Sequence, residues 1–167
     1  MKEEEKGLST IVKVVTRWIV GFILLFGIYI VIFGHLTPGG GFPGGVIIAG
    51  TFVLLTLSFG REVPLRKLNS TLASELDSFG ALVFLLVGIL GLYLATYFAQ
   101  NFITTFPQQY FRPLSAGVIP ICNLAIGLKV GASIFMVFII LAVTRVISVG
   151  EGKMKMLRKK TGRRRRK

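Results

Sequence analysis

Thr37-Pro38-Gly39-Gly40-Gly41-Phe42-Pro43-Gly44-Gly45 is an uncharged, glycine-rich run that decides how this chain folds. The stretches on either side of it, Trp18 to Gly34 and Val46 to Gly60, contain no Asp, Glu, Lys or Arg. A helix rises about 1.5 Å per residue and the hydrocarbon core of a bilayer is about 30 Å thick, so apolar stretches of this length are read as membrane crossings. The run is therefore predicted to turn the chain at or inside a membrane surface.

Hydropathy predicts an all-α integral membrane protein with four transmembrane helices. Apolar residues make up 53% of the chain, and the charged residues are crowded into a few short segments. This composition is typical of a membrane protein. The predicted spans cover about residues 11–34, 44–60, 79–99 and 120–147 of a membrane domain at 1–150, and residues 151–167 are predicted to form a basic cytoplasmic tail.

The distribution of Lys and Arg predicts that the N and C termini are both cytoplasmic. Basic residues cluster before the first span, between the second and third spans, and after the fourth span. The two remaining connections contain only His35 and Arg112 as basic residues. Cytoplasmic loops carry an excess of Lys and Arg, so these two connections are predicted to face outward.

Two connections have a pattern of their own. Between the second and third spans, leucines at helical spacing predict a short amphipathic segment along the inner surface: Leu65, Leu68, Leu72 and Leu76. In the outer connection, aromatic side chains stand among Thr, Gln and Asn: Phe102, Phe106, Tyr110 and Phe111. This second pattern suits either an aromatic belt at the membrane interface or a docking surface for another protein of a complex.

The formal net charge of +13 is concentrated in the basic tail, which closes with five cationic residues: Arg163, Arg164, Arg165, Arg166 and Lys167. A basic segment next to a span gains about 1 kcal/mol per charge from anionic lipid. Anionic lipid is therefore predicted as the partner of the tail, and nucleic acid is not. Cys122 is the single cysteine, so neither a disulfide nor a cysteine metal site is predicted.

The acidic residues are all predicted to lie outside the spans: Glu3, Glu4, Glu5, Glu62, Glu75, Asp77 and Glu151. Ion transporters generally use carboxylates, lysines and histidines at membrane depth. This chain offers one interior lysine, Lys129, and is therefore predicted to help ions move only with companion subunits. The sequence contains no nucleotide loop, metal-ligand cluster or nucleophile–base pair of credible spacing, so no catalytic site, metal or cofactor is predicted.

Lys129 has two alternative interpretations. If Arg145 marks the inner boundary, Lys129 lies about 24 Å above it and reaches the outer headgroups as an anchor. If the helix begins at Pro120, Lys129 lies about 14 Å along the axis and deeper, where it would face an ion path or a partner. His35, beside the glycine run, is the other candidate for an ion path or partner contact.

Small residues in the fourth span predict close helix packing. Asn123, Gly127 and Gly131 recur every four residues and form a stripe of the kind that lets two membrane helices approach closely. Lys129 stands two positions after Gly127 and is therefore predicted on roughly the opposite side of the helix, facing another protein.

The stretch Gly34-His35-Leu36-Thr37-Pro38-Gly39-Gly40-Gly41-Phe42-Pro43-Gly44-Gly45, with Gly127-Leu128-Lys129-Val130-Gly131 and four spans in this order, resembles the MnhB-type subunits of the multisubunit Mrp-type (Mnh-type) sodium/proton antiporters. The resemblance covers about residues 8 to 150. Related subunits occur in archaeal respiratory complexes that join such a module to a hydrogenase or a sulfur-reducing module.

The resemblance implies a small accessory membrane subunit, required for assembly and ion exchange, with no redox cofactor. Its implied partners are other membrane subunits, and its complex would transport sodium ions and protons. The residues that the resemblance singles out are Lys129 and the run Pro38-Gly39-Gly40-Gly41-Phe42. Two other functions stay open: a bracing role without contact to any ion, and a channel or carrier formed by self-association.

Overall fold

The computed structural model describes residues 8–60, 62–103, 116–149 and 153–158. Four of its helices are long and apolar enough to cross a membrane: α1 (Thr10–Phe33), α2 (Gly41–Phe59), α4 (Ser70–Ala95) and α5 (Ile119–Val143). A short helix, α3 (Glu62–Lys67), lies between α2 and α4, within the predicted amphipathic segment. The prediction of a multi-pass, four-helix membrane protein is confirmed.

Helices α2 and α5 form the centre of the bundle. Helix α1 packs mainly on α2, and α4 packs on α5. Within the most apolar part of each helix, 39% of α2 and 33% of α5 is buried, against 17% of α1 and 22% of α4. Helices α2 and α5 run parallel, because Gly45 lies against Gly127 and, further along both helices, the rings of Phe52 and Phe135 are 5.4 Å apart.

Glycine residues allow α2 and α5 to meet backbone against backbone. A Cβ atom on Gly45 would lie 2.8 Å from the carbonyl oxygen of Gly127 and 3.2 Å from the amide nitrogen of Gly131. A Cβ on Gly41 would overlap the carbonyl oxygen of Asn123. Association of membrane helices depends on van der Waals packing, which such close approach strengthens. The stripe predicted from Asn123, Gly127 and Gly131 faces α2.

The contact between α1 and α2 combines a glycine with a buried polar pair. A Cβ on Gly44 would overlap the side chain of Val31. Toward the other end of the two helices, the hydroxyl groups of Thr16 and Ser58 are hydrogen-bonded at 2.7 Å, and both residues are buried. Each hydroxyl therefore has a partner in a region where an unpaired one would be costly.

A cluster of buried apolar side chains joins α4 to α5. Its members are Ala73, Ala132, Phe135 and Ile139. Partly buried side chains from α2 and from the connection between α2 and α4 pack around it: Phe52, Leu65 and Leu68. Two of the leucines predicted to lie on the membrane surface, Leu65 and Leu68, therefore also close this end of the helix bundle.

Two helices start earlier than predicted. Helix α2 begins at Gly41 and includes Pro43, because a first-turn residue needs no intrahelical partner for its amide. Helix α4 begins at Ser70 instead of about 79, since Leu72 and Leu76 of the amphipathic segment continue into the span without a break.

Two helices end earlier than predicted. Helix α4 ends at Ala95, and the chain turns back at Thr96 and Ala99, whose φ angles are 85° and 59°. Helix α5 ends at Val143 instead of about 147. An antiparallel hairpin of β1 (Thr144–Val149) and β2 (Lys153–Arg158) follows it, with β2 inside the predicted tail. The β-branched residues of β1 explain the change, since such residues favour extended structure.

Asn101 links the two described ends of the connection between α4 and α5 by hydrogen bonds. Its Nδ2 donates a hydrogen bond to the carbonyl of Ala116 at 3.2 Å, and its Oδ1 accepts one from the amide of Val118 at 3.3 Å. Gly117, with φ of 67°, makes room for the Asn101 side chain. Three of the aromatic residues predicted as a belt or docking surface lie outside the described residues: Phe106, Tyr110 and Phe111.

Replacement of Gly45 by Ala is expected to destabilise the chain. The new methyl group would meet the backbone of Gly127, and overpacking of this kind costs about 1–3 kcal/mol of unfolding free energy. Gly50→Ala is the matched control in the same helix, because no atom lies within 4 Å of the added Cβ. We expect the control to be neutral or stabilising by about 0.5–1 kcal/mol.

Thermal unfolding of the two variants in detergent, followed by circular dichroism, measures this difference. Equal unfolding temperatures for Gly45→Ala and Gly50→Ala would contradict the backbone contact between α2 and α5.

Candidate functional site

The predicted surface loop is divided between a turn and a helix. Pro38, Gly39 and Gly40 lie in the connection between α1 and α2, and Gly40 adopts a φ of 133° that favours glycine. The rest of the predicted loop belongs to the first turns of α2: Gly41, Phe42, Gly44 and Gly45. The structure corrects the loop prediction for these four, because their glycines serve helix packing and not a change of chain direction.

Asn123 joins α5 to the beginning of α2. Its Oδ1 accepts a hydrogen bond from the amide of Gly41 at 3.3 Å. The first amides of a helix have no partner within the helix, so the side chain satisfies one of these donors. The amide group of Asn123 thus adds a polar link to the glycine contact between the two central helices.

His35 and Phe42, which flank the glycine residues 39–41, lie at the same end of the bundle. His35 is half-buried in the turn after α1, and Phe42, in the first turn of α2, is 63% exposed. Lys129 stands about 9 Å further along α5 than Asn123. Its described contacts do not include His35. The structure therefore does not bring the two predicted ion-path candidates into one cluster.

Lys129 forms an ion pair with Asp77 of α4. Its Nζ lies 2.8 Å from Oδ1 of Asp77. Ser133, one turn after Lys129 on α5, donates a hydrogen bond from Oγ to the same oxygen at 2.5 Å. The three side chains form a polar cluster on the seam between α4 and α5, which we call the seam cluster.

The seam cluster bears on two predictions. Glu75 and Asp77 were expected outside the spans, but both lie in α4, because that helix starts about nine residues earlier than predicted. Lys129 was expected on the side of α5 opposite Gly127. The structure pairs it with an acid of its own chain on α4, while 45% of its side chain stays exposed.

The contacts place the seam cluster well inside the helices. Lys129 lies about 15 Å from the start of α5 and about 21 Å from its end, and Asp77 lies about 10 Å from the start of α4. Because α5 begins at Ile119, the distance of Lys129 from the start of the helix agrees with the alternative that begins the helix at Pro120. The ammonium group of Lys129 is directed at the Asp77 carboxylate of the same chain.

The pair is only partly covered by its own chain. The side chain of Lys129 is 45% exposed and that of Asp77 is 34% exposed. Both described hydrogen bonds to Asp77 end on Oδ1, and Oδ2 takes part in neither. An ammonium group has three N–H donors, and one of them is engaged here. The cluster can therefore accept further polar contacts from outside the chain.

The sequence contained a signal for this pair that hydropathy alone misses. Small residues flank each charge at helical spacing: Ala73 and Gly80 around Asp77, and Ala125 and Ala132 around Lys129. A Cβ on Gly80 would lie 2.6 Å from the carbonyl oxygen of Ala125. A charge set in a stripe of small residues faces a neighbouring helix at close range, which favours an interhelical partner.

The predicted lipid-binding residues lie outside the described residues: Arg163, Arg164, Arg165, Arg166 and Lys167. Within the part of the chain that the structure describes, no three His, Cys, Asp or Glu residues come close enough to hold a metal ion.

Comparison with protein families gives one match over most of the chain. The model described as "Domain related to MnhB subunit of Na+/H+ antiporter" matches residues 11–136. A putative antiporter subunit, mnhB2, of Staphylococcus aureus strain Newman is 32% identical over 126 residues, which cover 75% of this chain and 86% of the relative.

Two archaeal proteins extend the comparison. Uncharacterized protein MJ1307 of Methanocaldococcus jannaschii is 38% identical over 130 residues, which cover 75% of this chain and 49% of that protein. This chain thus matches about half of the length of MJ1307. A chain in the solved structure of the membrane-bound sulfane sulfur reductase, an archaeal respiratory membrane complex, superimposes with a TM-score of 0.62. That chain is 32% identical, and the match covers 82% of this chain and 61% of that one.

Removal of one charge from the seam cluster is expected to lower the free energy of unfolding more than removal of both charges. Asp77→Asn leaves the Lys129 ammonium without its counter-ion inside the helices, whereas Asp77→Asn with Lys129→Met leaves no charge there. We expect a coupling free energy of about 1 kcal/mol between the two positions. Thermal unfolding of the two single variants and the double variant in detergent measures it, and strictly additive effects would show that the pair is not coupled.

Proposed function

Because this chain belongs to the MnhB family of Na+/H+ antiporter subunits, as its glycine motif predicted, we propose that it is an accessory membrane subunit of a multisubunit cation/proton antiporter module. The module stands either alone or within an archaeal respiratory complex, the kind of assembly in which the structural relative occurs. In this proposal the chain has no catalytic site of its own, even where the parent complex is an oxidoreductase.

The observation that carries the proposal is the Asp77–Lys129 pair. Charged residues inside spans are costly and are generally found where they pair with one another or meet an ion or water pathway. The seam cluster combines a carboxylate, an ammonium group and a hydroxyl within the transmembrane helices. These groups can shape the electrostatic potential along a sodium route at the edge of the chain.

Companion subunits complete the path. Among the residues that the structure describes, the four spanning helices contain two acids, Asp77 and, two positions nearer the start of α4, Glu75. A relay across a membrane needs several titratable groups in succession. We therefore assign the main proton relay to antiporter-like core subunits, with this chain lining or shaping part of the sodium route.

Replacement of Lys129 by Met tests this role. We expect sodium/proton exchange by vesicles that contain the assembled complex to fall by about fivefold or more, which corresponds to about 1 kcal/mol. Lys129→Arg, which keeps a positive charge opposite Asp77, is the control and should retain more exchange than Lys129→Met. Subunit composition is measured on the same membranes by copurification. Unchanged exchange with normal assembly would reduce Lys129 to a structural residue.

A bracing role without contact to any ion is the second candidate. It is favoured by one observation: Lys129 and Asp77 compensate each other within the chain, so the pair needs no transported ion. In that case the exposed Phe42 and the turn at Gly40 would act as contacts for neighbours. Phe42→Ala would then change the recovery of partner subunits and leave the apparent sodium affinity of the remaining complex unaltered.

The basic tail adds a proposed contact with anionic lipid. Its five final residues carry five positive charges, and binding of a basic segment to lipid weakens as salt screens the attraction. With the chain held in neutral nanodiscs, removal of residues 163–167 should lower its binding to separate anionic vesicles at low salt and have little effect at high salt. Equal binding of the full-length chain at both salt concentrations would argue against the lipid contact.

A further inference from the structure

We propose that the seam cluster of Asp77, Lys129 and Ser133 is a docking site for a transmembrane helix of a neighbouring subunit that presents a side-chain amide, from Asn or Gln. The inference rests on the proposed function, because it requires a multisubunit complex. It names the chemistry of one partner surface within that complex.

Depth and exposure together make a lipid neighbour unfavourable at this place. Lys129 is about 15 Å from the nearer end of α5, yet 45% of its side chain and 34% of the Asp77 side chain are exposed. Hydrocarbon offers no hydrogen bonds to groups at that depth. Charged side chains within spans almost always face the interior of a bundle or a cavity.

The hydrogen-bonding groups that the seam cluster leaves unused define which chemical group the neighbouring helix must present. Oδ2 of Asp77 takes no part in the two described bonds to that carboxylate, so it can accept a hydrogen bond. The ammonium group of Lys129 retains N–H donors beyond the one directed at Asp77. An occupant must therefore supply a donor and an acceptor close together.

A side-chain amide meets both requirements, because it carries a donating NH₂ group and an accepting carbonyl oxygen on one carbon atom. The charges of Lys129 and Asp77 already cancel, so a charged partner would bring an uncompensated charge into the span. Polar side chains of this kind form hydrogen bonds between helices in membranes. A neutral amide is thus the complementary group.

The test replaces the cluster with apolar side chains of similar size. Asp77→Leu with Lys129→Met removes both charges together, an exchange that often leaves a protein as stable as before or more stable. The tagged full-length chain is expressed with its neighbouring subunits, and the membranes are solubilised in mild detergent. We expect recovery of one neighbouring subunit per tagged chain to fall by about fivefold or more, while the unfolding temperature of the separately purified chain is maintained.

Two further variants control this measurement. Leu86→Met with Leu124→Met alters exposed residues of the same two helices on faces turned away from the seam cluster, and it should recover the neighbour fully. The exchanged pair, Asp77→Lys with Lys129→Asp, keeps an internal ion pair but reverses donor and acceptor. It should also lose the neighbour. If the apolar variant does not accumulate in membranes, recovery of the neighbouring subunit with the exchanged pair tests the docking site in its place.

The outcomes separate the two proposals. Full recovery of every subunit with both the apolar and the exchanged pair would show that this face meets lipid, and it would overturn the docking site alone. A wild-type chain that purifies with no other polypeptide would overturn the proposed function and the docking site together.

Discussion

The contact between α2 and α5 is the constraint on which the rest of the structure depends. Both helices pass so close that a Cβ on Gly45 would lie 2.8 Å from the carbonyl oxygen of Gly127, and one on Gly41 would overlap the carbonyl oxygen of Asn123. In hydrocarbon there is little hydrophobic drive to bring helices together, so close van der Waals contact has to supply it. Helix α1 then packs on one side of this pair and α4 on the other. The glycine run is thus a packing surface first and a turn only in its opening residues.

The membrane architecture was predictable because it follows from physical quantities that a sequence displays directly. Apolar length and the absence of charge located four spans. The helix boundaries were less predictable, since hydropathy does not register where a helix continues through polar residues. Asp77 was placed outside the third span for this reason, although Ala73 and Gly80 on the same face indicated close packing there. The strand that follows Val143 is not evident from hydropathy, because Val146 and Ile147 extend the apolar run of the helix beyond Thr144 and Arg145.

Only part of the candidate site could be predicted from the sequence: Lys129 could, and its pairing with Asp77 could not. Lys129 could be found as a lysine far from both ends of its predicted span, but its partner depends on which face of α5 meets α4. The glycine stripe predicts that one face of α5 packs on the bundle and that Lys129 points away from that face. Both sides of α5 are in fact occupied, one by α2 and the other by α4. A helix at the centre of a bundle has two internal faces, and the small residues of the second face were the missing information.

The parallel course of α2 and α5 has an electrostatic consequence. Each helix carries a macrodipole equivalent to about half a positive charge at its amino end and half a negative charge at its carboxyl end. Two parallel helices in close contact place like partial charges side by side, and a medium of low permittivity does little to weaken their repulsion. The antiparallel α1 and α4 place opposite poles beside them. The outer helices therefore neutralise the field of the central pair as well as covering its surface.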